Sequence, residues 1–235
     1  QATLCVAHRA KDNGVPCAGA QTVHIHAQQL EQWKGYMQEH GAFLIDKDED
    51  IAALRALVFP DGGTKLNRAV VGKFPYQVGE MCGLNIPETA KIMLVKNQAW
   101  GEAEVLCREI LFPIVRYTVY EKFEDAVDRA VANLEVEGAG HTSTLWTTND
   151  DHVEYAAKRI PVGRFHINQP TMGGRIPIIT SITIGCGTWG GNIVSENICL
   201  KHYMNTTWVA RPLPEDMPSN EELFGEFNKP DMDVE

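Results

Sequence analysis

The fold of this chain is constrained most by a regular alternation of helix-like and strand-like segments over its first 170 residues. Residues 121–134 carry apolar side chains three and four positions apart, which places one apolar stripe along a helix. The stripe consists of Phe123, Ala126, Val127, Ala130, Val131 and Leu134. Gly138 and Gly140 end this helix, and residues 142–147 follow as a strand. Such alternation predicts an α/β fold with a mainly parallel sheet flanked by helices.

The same reasoning divides the chain into three predicted parts. Further strands are predicted at residues 23–25, 42–45, 91–95, 113–119 and 163–168. Further helices are predicted at residues 28–39, 48–59 and 150–159. We therefore predict an α/β domain over residues 1–170, a strand-rich extension for interdomain or oligomer contacts over residues 171–211, and a solvated acidic tail over residues 212–235.

Charge and the length of the apolar runs exclude two classes of partner. The 235 residues carry 21 Lys and Arg against 31 Asp and Glu, a net charge of −10, of which the tail contributes −7. A chain without a basic stripe cannot neutralise a phosphate backbone, so we exclude nucleic acid as a partner. No apolar run approaches the roughly 18 residues of a membrane helix, so we exclude a membrane partner as well.

Cysteine usage and the first residues indicate where such a chain resides. The six cysteines form no C-x-x-C pair and are too sparse for a disulfide scaffold, which favours a reducing compartment, the cytoplasm. The chain opens with Gln-Ala-Thr-Leu, and no signal-peptide pattern precedes the first strand. We therefore expect a processed or excised piece of a longer protein.

Cys17 is the first candidate for chemistry. It lies in the segment D-N-G-V-P-C-A-G-A-Q at residues 12–21, where small neighbours leave a thiol accessible. The thiolate is the attacking form, so a nucleophile here needs a lowered pKa or a nearby base. A cysteine in such a loop is more often inert than catalytic, and that alternative stays open.

Three histidines are candidates for acid–base or metal chemistry. His141 lies at the junction of the best-defined helix and the next strand, where a base or hydrogen-bond donor is well placed, although a lone histidine is more often structural. His24 and His26 share one face of a strand, as two metal ligands would. Because the sequence offers no third ligand, we predict an exposed strand face there and no metal site.

A glycine-rich motif near the C-terminal part of the chain matches a dinucleotide-binding pattern. The segment G-C-G-T-W-G at residues 185–190 formally matches G-x-G-x-x-G and follows the strand-like residues 178–184. A dinucleotide fold requires a helix directly after the glycines and an acidic residue about 20 positions on. Neither follows here, so we interpret the match as fortuitous.

Four motifs occur in an order that is typical of one family. N-G-V-P-C with Gln21 is similar to a nucleophile loop, and E-I-L-F-P at residues 109–113 is similar to a glutamate-to-proline motif. G-H-T-S at residues 140–143 and G-C-G-T-W-G-G-N at residues 185–192, followed by S-E-N at residues 195–197, complete the set. Together they resemble the coenzyme-A-acylating branch of the aldehyde dehydrogenase superfamily, including the aldehyde half of bifunctional aldehyde-alcohol dehydrogenases. The similarity extends from about residue 11 to about residue 209.

This resemblance implies a two-stage reaction on a small aldehyde substrate. Cys17 would attack the aldehyde, hydride would pass to NAD, and coenzyme A would take the acyl group from the cysteine thioester. The N–H of Cys17 would help to hold the oxyanion, and His141 would aid deprotonation of the thiol. Glu109 would bind the cofactor ribose, with Leu111 packed nearby. The 171–211 extension would contribute to a homo-oligomer.

Several departures from the family pattern qualify these expectations. Ala20 stands where the family often has a carboxylate, and Phe112 replaces a smaller residue. Between Asn168 and Gly185 the chain is also shorter than the aldehyde-alcohol enzymes, so the aldehyde pocket need not have the size that it has in the family. The family's nucleotide-binding domain precedes the nucleophile loop, and this chain starts only 16 residues before Cys17. We therefore expect that domain N-terminal to this chain, weak or no NAD binding by the chain alone, and an isolated chain that is inactive as an aldehyde dehydrogenase without that domain.

Two other functions remain open at this stage. A noncatalytic assembly or scaffold module would keep the fold without the chemistry, which the missing cofactor domain favours. An unrelated Cys/His hydrolase would hydrolyse thioesters without a nicotinamide. Reactivity of the Cys17 thiol and NAD binding distinguish the enzyme from the scaffold.

Overall fold

The computed structural model describes residues 1–60, 62–63, 65–172, 183–212 and 218–225 of a chain with two compact units, Gln1–Ile198 and Cys199–Glu235. The strands of the first unit are β1 (Thr22–His26), β2 (Ala42–Ile45), β3 (Ile92–Lys96), β4 (Ile114–Tyr120), β5 (Gly140–Leu145) and β6 (Val162–Ile167). Its helices are α1 (Ala2–Ala7), α2 (Leu30–Glu39), α3 (Asp48–Val58), α4 (Pro75–Cys82), α5 (Phe123–Val136) and α6 (Asp150–Arg159).

The first unit has two parallel sheets. Strands β1 to β4 form one sheet in the order β1-β4-β3-β2, and β5 pairs with β6 in the other. Every strand pair is parallel, with Thr22 opposite Arg116 in the large sheet and Thr144 opposite His166 in the small one. Parallel neighbours need crossover connections, which the intervening helices supply. The predicted α/β fold with a mainly parallel sheet is confirmed.

Strand β3 shows how the large sheet is covered on both faces. Ile92 and Leu94 point to one face, where they pack with Trp33 and Met37 of α2. Met93 and Val95, one residue out of phase, point to the other face and join the cluster of α3 and α4. Because both faces are buried, this strand is apolar without alternation, as expected of a central parallel strand. Each fully buried aliphatic side chain of this kind stabilises the fold by roughly 2 kcal/mol.

The predicted strand-rich extension is not confirmed. In residues 171–172 and 183–212 the structure has two short 3-10 turns, Thr188–Gly190 and Leu200–Tyr203, and no strand. Within the first unit the glycine-rich segment instead closes a loop on itself, because Gly185 N donates to Glu196 O (3.0 Å) and Gly187 N donates to Val194 O (2.8 Å). Most of the strand-like segment 178–184 lies outside the described residues.

The second unit is described only in part. Its described residues include the turn Leu200–Tyr203 and a short exposed helix, α7 (Asn220–Phe224). Ser219 caps this helix, since its hydroxyl accepts a hydrogen bond from Glu222 N (3.3 Å). Most of the predicted acidic tail lies outside the described residues. None of the helices that the structure describes combines the length and the apolar character needed to cross a bilayer.

Candidate active site

A cleft of about 610 Å³ in the first unit collects the candidate residues. Its wall is formed by side chains and backbone of β1, α5 and β5, together with the loops on either side of them. Cys17, Glu109 and His141 all line this cleft, although Cys17 and His141 lie more than 120 residues apart in sequence. Leu111, the fourth predicted residue, is half-buried and does not line the cleft.

The loop that presents Cys17 begins with an unusual turn. Asp12, Asn13 and Gly14 have φ values of 47°, 49° and 69°, in the left-handed region that Asp, Asn and Gly tolerate best. Asn13 Nδ2 donates to Gly72 O (3.2 Å). Gly14 lies so close to Phe112 that a β-carbon at this position would be 2.3 Å from the Phe112 carbonyl carbon. The turn therefore fixes the loop against the segment that follows Glu109.

Cys17 itself is exposed to the cleft. Its thiol is free, and its backbone N–H donates to no group in the described part of the chain. Gly19 N donates to Pro16 O (3.2 Å), which closes a tight turn around the cysteine. An accessible sulfur beside an unpaired N–H is the arrangement that nucleophilic attack on a carbonyl requires.

Glu109 lies on a segment that hydrogen bonds hold in place. Gln21 Oε1 accepts a hydrogen bond from Ile110 N (3.0 Å), and Glu137 Oε2 accepts one from Glu109 N (2.6 Å). The Glu109 side chain is exposed, so its carboxylate is available to a ligand in the cleft. A carboxylate of this kind can accept hydrogen bonds from hydroxyl groups such as those of a ribose.

His141 occupies the second position of β5, where its ring faces the cleft. Nδ1 lies 3.1 Å from Thr142 Oγ1, whereas Nε2 is buried and has no hydrogen-bond partner among the described residues. Burial lowers the pKa of His141, and the positive charge of Arg164 lowers this pKa further. The imidazole is therefore neutral near pH 7 and can accept a proton at Nε2.

His24 and His26 do not form the exposed strand face that the sequence predicts. Both are half-buried: His24 Nδ1 lies 2.7 Å from Thr118 Oγ1, and the His26 ring packs edge-on against Tyr120. They lie on β1, which pairs with β4, and both line the cleft. Burial lowers the pKa of His24 to about 4. Within the described ranges, no group of three His, Cys, Asp or Glu side chains is placed to hold a metal ion.

The glycine-rich motif lines the cleft but does not have the structure of a phosphate-binding loop. Directly after Gly185, residues 186–198 form a 3-10 turn and a loop, with no α-helix at this point to receive a phosphate. Cys186, Gly190 and Asn192 instead line the same cleft as His141. A β-carbon at Gly140 would lie 2.4 Å from Cys186 O, so this loop packs directly on the start of β5.

Two buried arginines at the site were not predicted. Arg9 and Arg116 are each 1% exposed, and Arg116 lines the cleft. Arg116 interrupts an otherwise apolar strand, I-V-R-Y-T-V, and a charge within a buried parallel strand is a signal that could have identified it. No sequence signal marks Arg9, which lies in a polar segment before the Cys17 loop.

Comparison with known proteins adds independent evidence. Residues 94–209 match the model of the aldehyde dehydrogenase family. Over 222 residues the chain is 35% identical to an acetylating succinate-semialdehyde dehydrogenase of Clostridium kluyveri, an alignment that covers 92% of this chain and 49% of the relative. It is also 33% identical over 209 residues to the bifunctional aldehyde-alcohol dehydrogenase AdhE of Escherichia coli K12, covering 85% of this chain and 23% of AdhE.

Solved structures agree in fold. The crystal structure of an acetylating aldehyde dehydrogenase from Geobacillus thermoglucosidasius matches with a TM-score of 0.79 and 27% identity. The match covers 91% of this chain and 48% of that enzyme. The chain belongs to the aldehyde dehydrogenase family. The family predicted from the four sequence motifs is therefore confirmed. The chain spans about half the length of the succinate-semialdehyde relative and about a quarter of the length of AdhE.

Proposed function

We propose that this aldehyde dehydrogenase chain carries the acyl-transfer site of a coenzyme-A-acylating enzyme. One observation carries the proposal: a single cleft is lined by Cys17 with its exposed thiol, by Glu109 and by His141, whose buried Nε2 has no hydrogen-bond partner among the described residues. The relatives named as acetylating enzymes support the same activity. The overall reaction converts a small aldehyde, NAD and coenzyme A into an acyl-CoA and NADH.

In the first stage the chain supplies a nucleophile and a proton acceptor. The proton of the Cys17 thiol moves to Nε2 of His141, and the sulfur forms a bond to the aldehyde carbon. The carbonyl oxygen takes the displaced electron pair, and the unpaired N–H of Cys17 donates a hydrogen bond to it. A bound NAD would supply the acceptor for the hydride of the same carbon, which would leave a thioester on Cys17.

In the second stage coenzyme A acts as the second substrate. Its thiolate sulfur attacks the thioester carbon, the bond between that carbon and the Cys17 sulfur breaks, and Cys17 returns as a thiolate. Forming and breaking a thioester between two sulfurs needs no oxidant. This half of the reaction can therefore be followed separately from the redox step.

The described residues fit a nicotinamide dinucleotide at one place. Glu109 presents an exposed carboxylate at the cleft, and its backbone is held by Glu137 through a 2.6 Å hydrogen bond. That carboxylate would hold ribose hydroxyls of the cofactor. Leu111 lies off the cleft wall, so its predicted packing beside the cofactor would require a ligand that extends beyond the cleft. The remaining contacts would come from the expected N-terminal nucleotide-binding domain.

Acyl exchange tests the proposal on this chain without the redox step. The protein is incubated with acetyl-CoA, quenched, digested and examined by mass spectrometry for an acetylated Cys17 peptide. Acetylation of Cys17 that free coenzyme A reverses supports the proposed function. Absence of acylation favours the scaffold alternative, and release of free acetate without reversal by coenzyme A favours the hydrolase alternative.

The lowered pKa of His141 predicts how acylation of Cys17 depends on pH. The lowered pKa keeps the ring neutral, so the rate of Cys17 acylation should decline only below pH 6.5, where the ring becomes protonated. His141→Gln should acylate Cys17 about a hundredfold more slowly and should lose this acid limb. Acylation rates measured from pH 5 to 8 check both points.

A matched histidine serves as the control for that measurement. His40 is exposed at the end of α2 and does not line the cleft, so His40→Gln should leave the rate and the pH profile unchanged. If His141→Gln retains the wild-type rate and acid limb, His141 is not the proton acceptor.

We further propose that the chain functions in a homo-oligomer. Leu200, Tyr203, Met204, Trp208 and Val209 of the second unit are exposed, with Trp208 at 91%. Large apolar side chains in one short segment are unfavourable in water and typically mark a contact surface. Sedimentation of the protein as a monomer only would contradict this proposal.

A further inference from the structure

Arg9 joins the two loops that present Cys17 and Glu109. Nη1 donates to Pro16 O (3.1 Å), next to the cysteine, and Nη2 donates to Ile110 O, next to the glutamate. The side chain is 1% exposed and reaches residues up to 101 positions away. One guanidinium thus fixes the spacing of both loops at the base of the cleft.

Arg9 also contacts the far side of the cysteine turn. A β-carbon at Gly19 would lie 3.1 Å from Arg9 Cδ and 3.2 Å from Arg9 Nη1. The side chain therefore lies directly beneath the turn and meets it both before and after Cys17. Its close approach depends on glycine at position 19, because any larger residue would press on the guanidinium.

The charge of Arg9 has no close counter-ion. Within the described ranges no carboxylate lies within 4.0 Å of it, and Nε has no hydrogen-bond partner. Burial lowers the pKa of Arg9 to about 10, and the negative charges of Glu109 and of an ionised Cys17 oppose this shift. Arg9 therefore remains a cation at neutral pH, and a negative charge on Cys17 is favourable to it.

A second buried arginine strengthens the same arrangement. Arg116 Nη1 donates to Gln21 Oε1 (3.0 Å), and Nη2 donates to Arg108 O (3.2 Å). Burial lowers the pKa of Arg116 to about 10, and the charge of Arg9 acts in the same direction. Two buried cations close enough to affect each other are costly unless a negative group compensates them. For Arg116 an ionised Cys107, Glu104 and Glu137 act in the compensating direction, and for Arg9 the charges of Glu109 and an ionised Cys17 do so.

We propose that Arg9 is a positioning residue for the Cys17 nucleophile. It holds the cysteine turn against the Glu109 segment, and its charge favours the thiolate form of Cys17 and the oxyanion that follows. This inference rests on the proposed function, since it assumes that Cys17 is the nucleophile. Arg9 is buried and need not touch substrate, because it acts on Cys17 through the loop that it binds.

Other charged and titratable groups line the same cleft. Two carboxylates on the wall, Glu109 and Glu137, would disfavour a thiolate. Burial lowers the pKa of His24 to about 4, and burial together with the charge of Arg164 lowers the pKa of His141, so both rings are neutral at pH 7. The other titratable groups on the wall are His26, Cys107, Tyr120 and Cys186. Arg129 and Arg164 act on His24 and His141 at this wall, whereas Arg9 contacts the cysteine turn itself and interacts with an ionised Cys17.

Alkylation of the thiol tests the proposal with a readout that a purely structural role would not change. Iodoacetamide modification of Cys17 is followed peptide by peptide, from pH 5 to 9, in the wild type, Arg9→Gln and Arg9→Lys. We expect Arg9→Gln to react at least about tenfold more slowly at pH 7, with its profile displaced to higher pH. Arg9→Lys keeps the charge and should recover most of the rate. Arg68→Met, at an exposed arginine away from the cleft, should match the wild type.

The outcomes separate this proposal from the proposed function. A wild-type rate and profile in Arg9→Gln would overturn the role of Arg9 and leave Cys17 as the nucleophile. If wild-type Cys17 reacts no faster than a free thiol, the proposed function fails, and this inference fails with it. If Arg9→Gln does not fold, Arg9→Lys decides: a profile displaced upward by about one pH unit or more would overturn the charge effect.

Discussion

The Cys17→Ala variant is expected to lose acyl transfer altogether. Without the sulfur no thioester forms, so exchange of isotope-labelled coenzyme A into acetyl-CoA should fall by roughly four orders of magnitude or more. The backbone N–H at position 17 remains in this variant, but it has no nucleophile to assist. Exchange is measured by chromatography of the labelled acetyl-CoA, and the folded state is checked by thermal unfolding.

Another thiol of the same chain provides the control. Cys5 lies on α1, is half-buried and does not line the cleft, so Cys5→Ala should exchange at the wild-type rate. Continued exchange by Cys17→Ala would assign the chemistry to a different sulfur. Cys186, which lines the same cleft, would then be the next candidate.

The Gly14→Ala variant is expected to be strongly destabilised. The residue has a φ of 69°, and an added β-carbon would lie 2.3 Å from the carbonyl carbon and 2.4 Å from the carbonyl oxygen of Phe112. Backbone atoms cannot yield as a flexible side chain does, so the turn and the Phe112 segment must separate. We expect the free energy of unfolding to fall by about 3 kcal/mol or more, measured by urea denaturation.

Gly35, unlike Gly14, has room for a β-carbon. It lies within α2, and a β-carbon there would meet nothing within 4 Å. Gly35→Ala should therefore raise the free energy of unfolding by up to about 1 kcal/mol through helix propensity. Equal stability of Gly14→Ala and the wild type would show that the loop is free to move away from Phe112.

Most of the α/β architecture could be predicted because its signals are local. The predicted strand 42–45 and helix 150–159 coincide with β2 and α6, and the apolar stripe of residues 121–134 lies within two residues of α5. Helix α4 was missed because Pro75 and Gly79 weaken its helical pattern. Pro75 in fact starts that helix, where a missing N–H costs nothing. The six residues of α1 are too few for a periodicity to appear.

The candidate site could be predicted only as far as the motifs reach. Cys17, Glu109 and His141 follow from the resemblance to the family, and the fold brings them to one cleft. Their roles remain predictions. The motifs do not include Arg9 or Arg116, and the contacts of these arginines with Ile110 O and Gln21 Oε1 span about a hundred positions of sequence. Sequence patterns report which face a residue occupies, whereas such contacts depend on the folded chain.

The bonds between the cysteine turn and the segment around Ile110 also bear on how the protein matures. Arg9 and Gln21 reach that segment across 101 and 89 positions of sequence. A ribosome must therefore release β3 and approach β4 before the turn can acquire its final form. A chain that ends before Ile110 therefore lacks both of these hydrogen bonds.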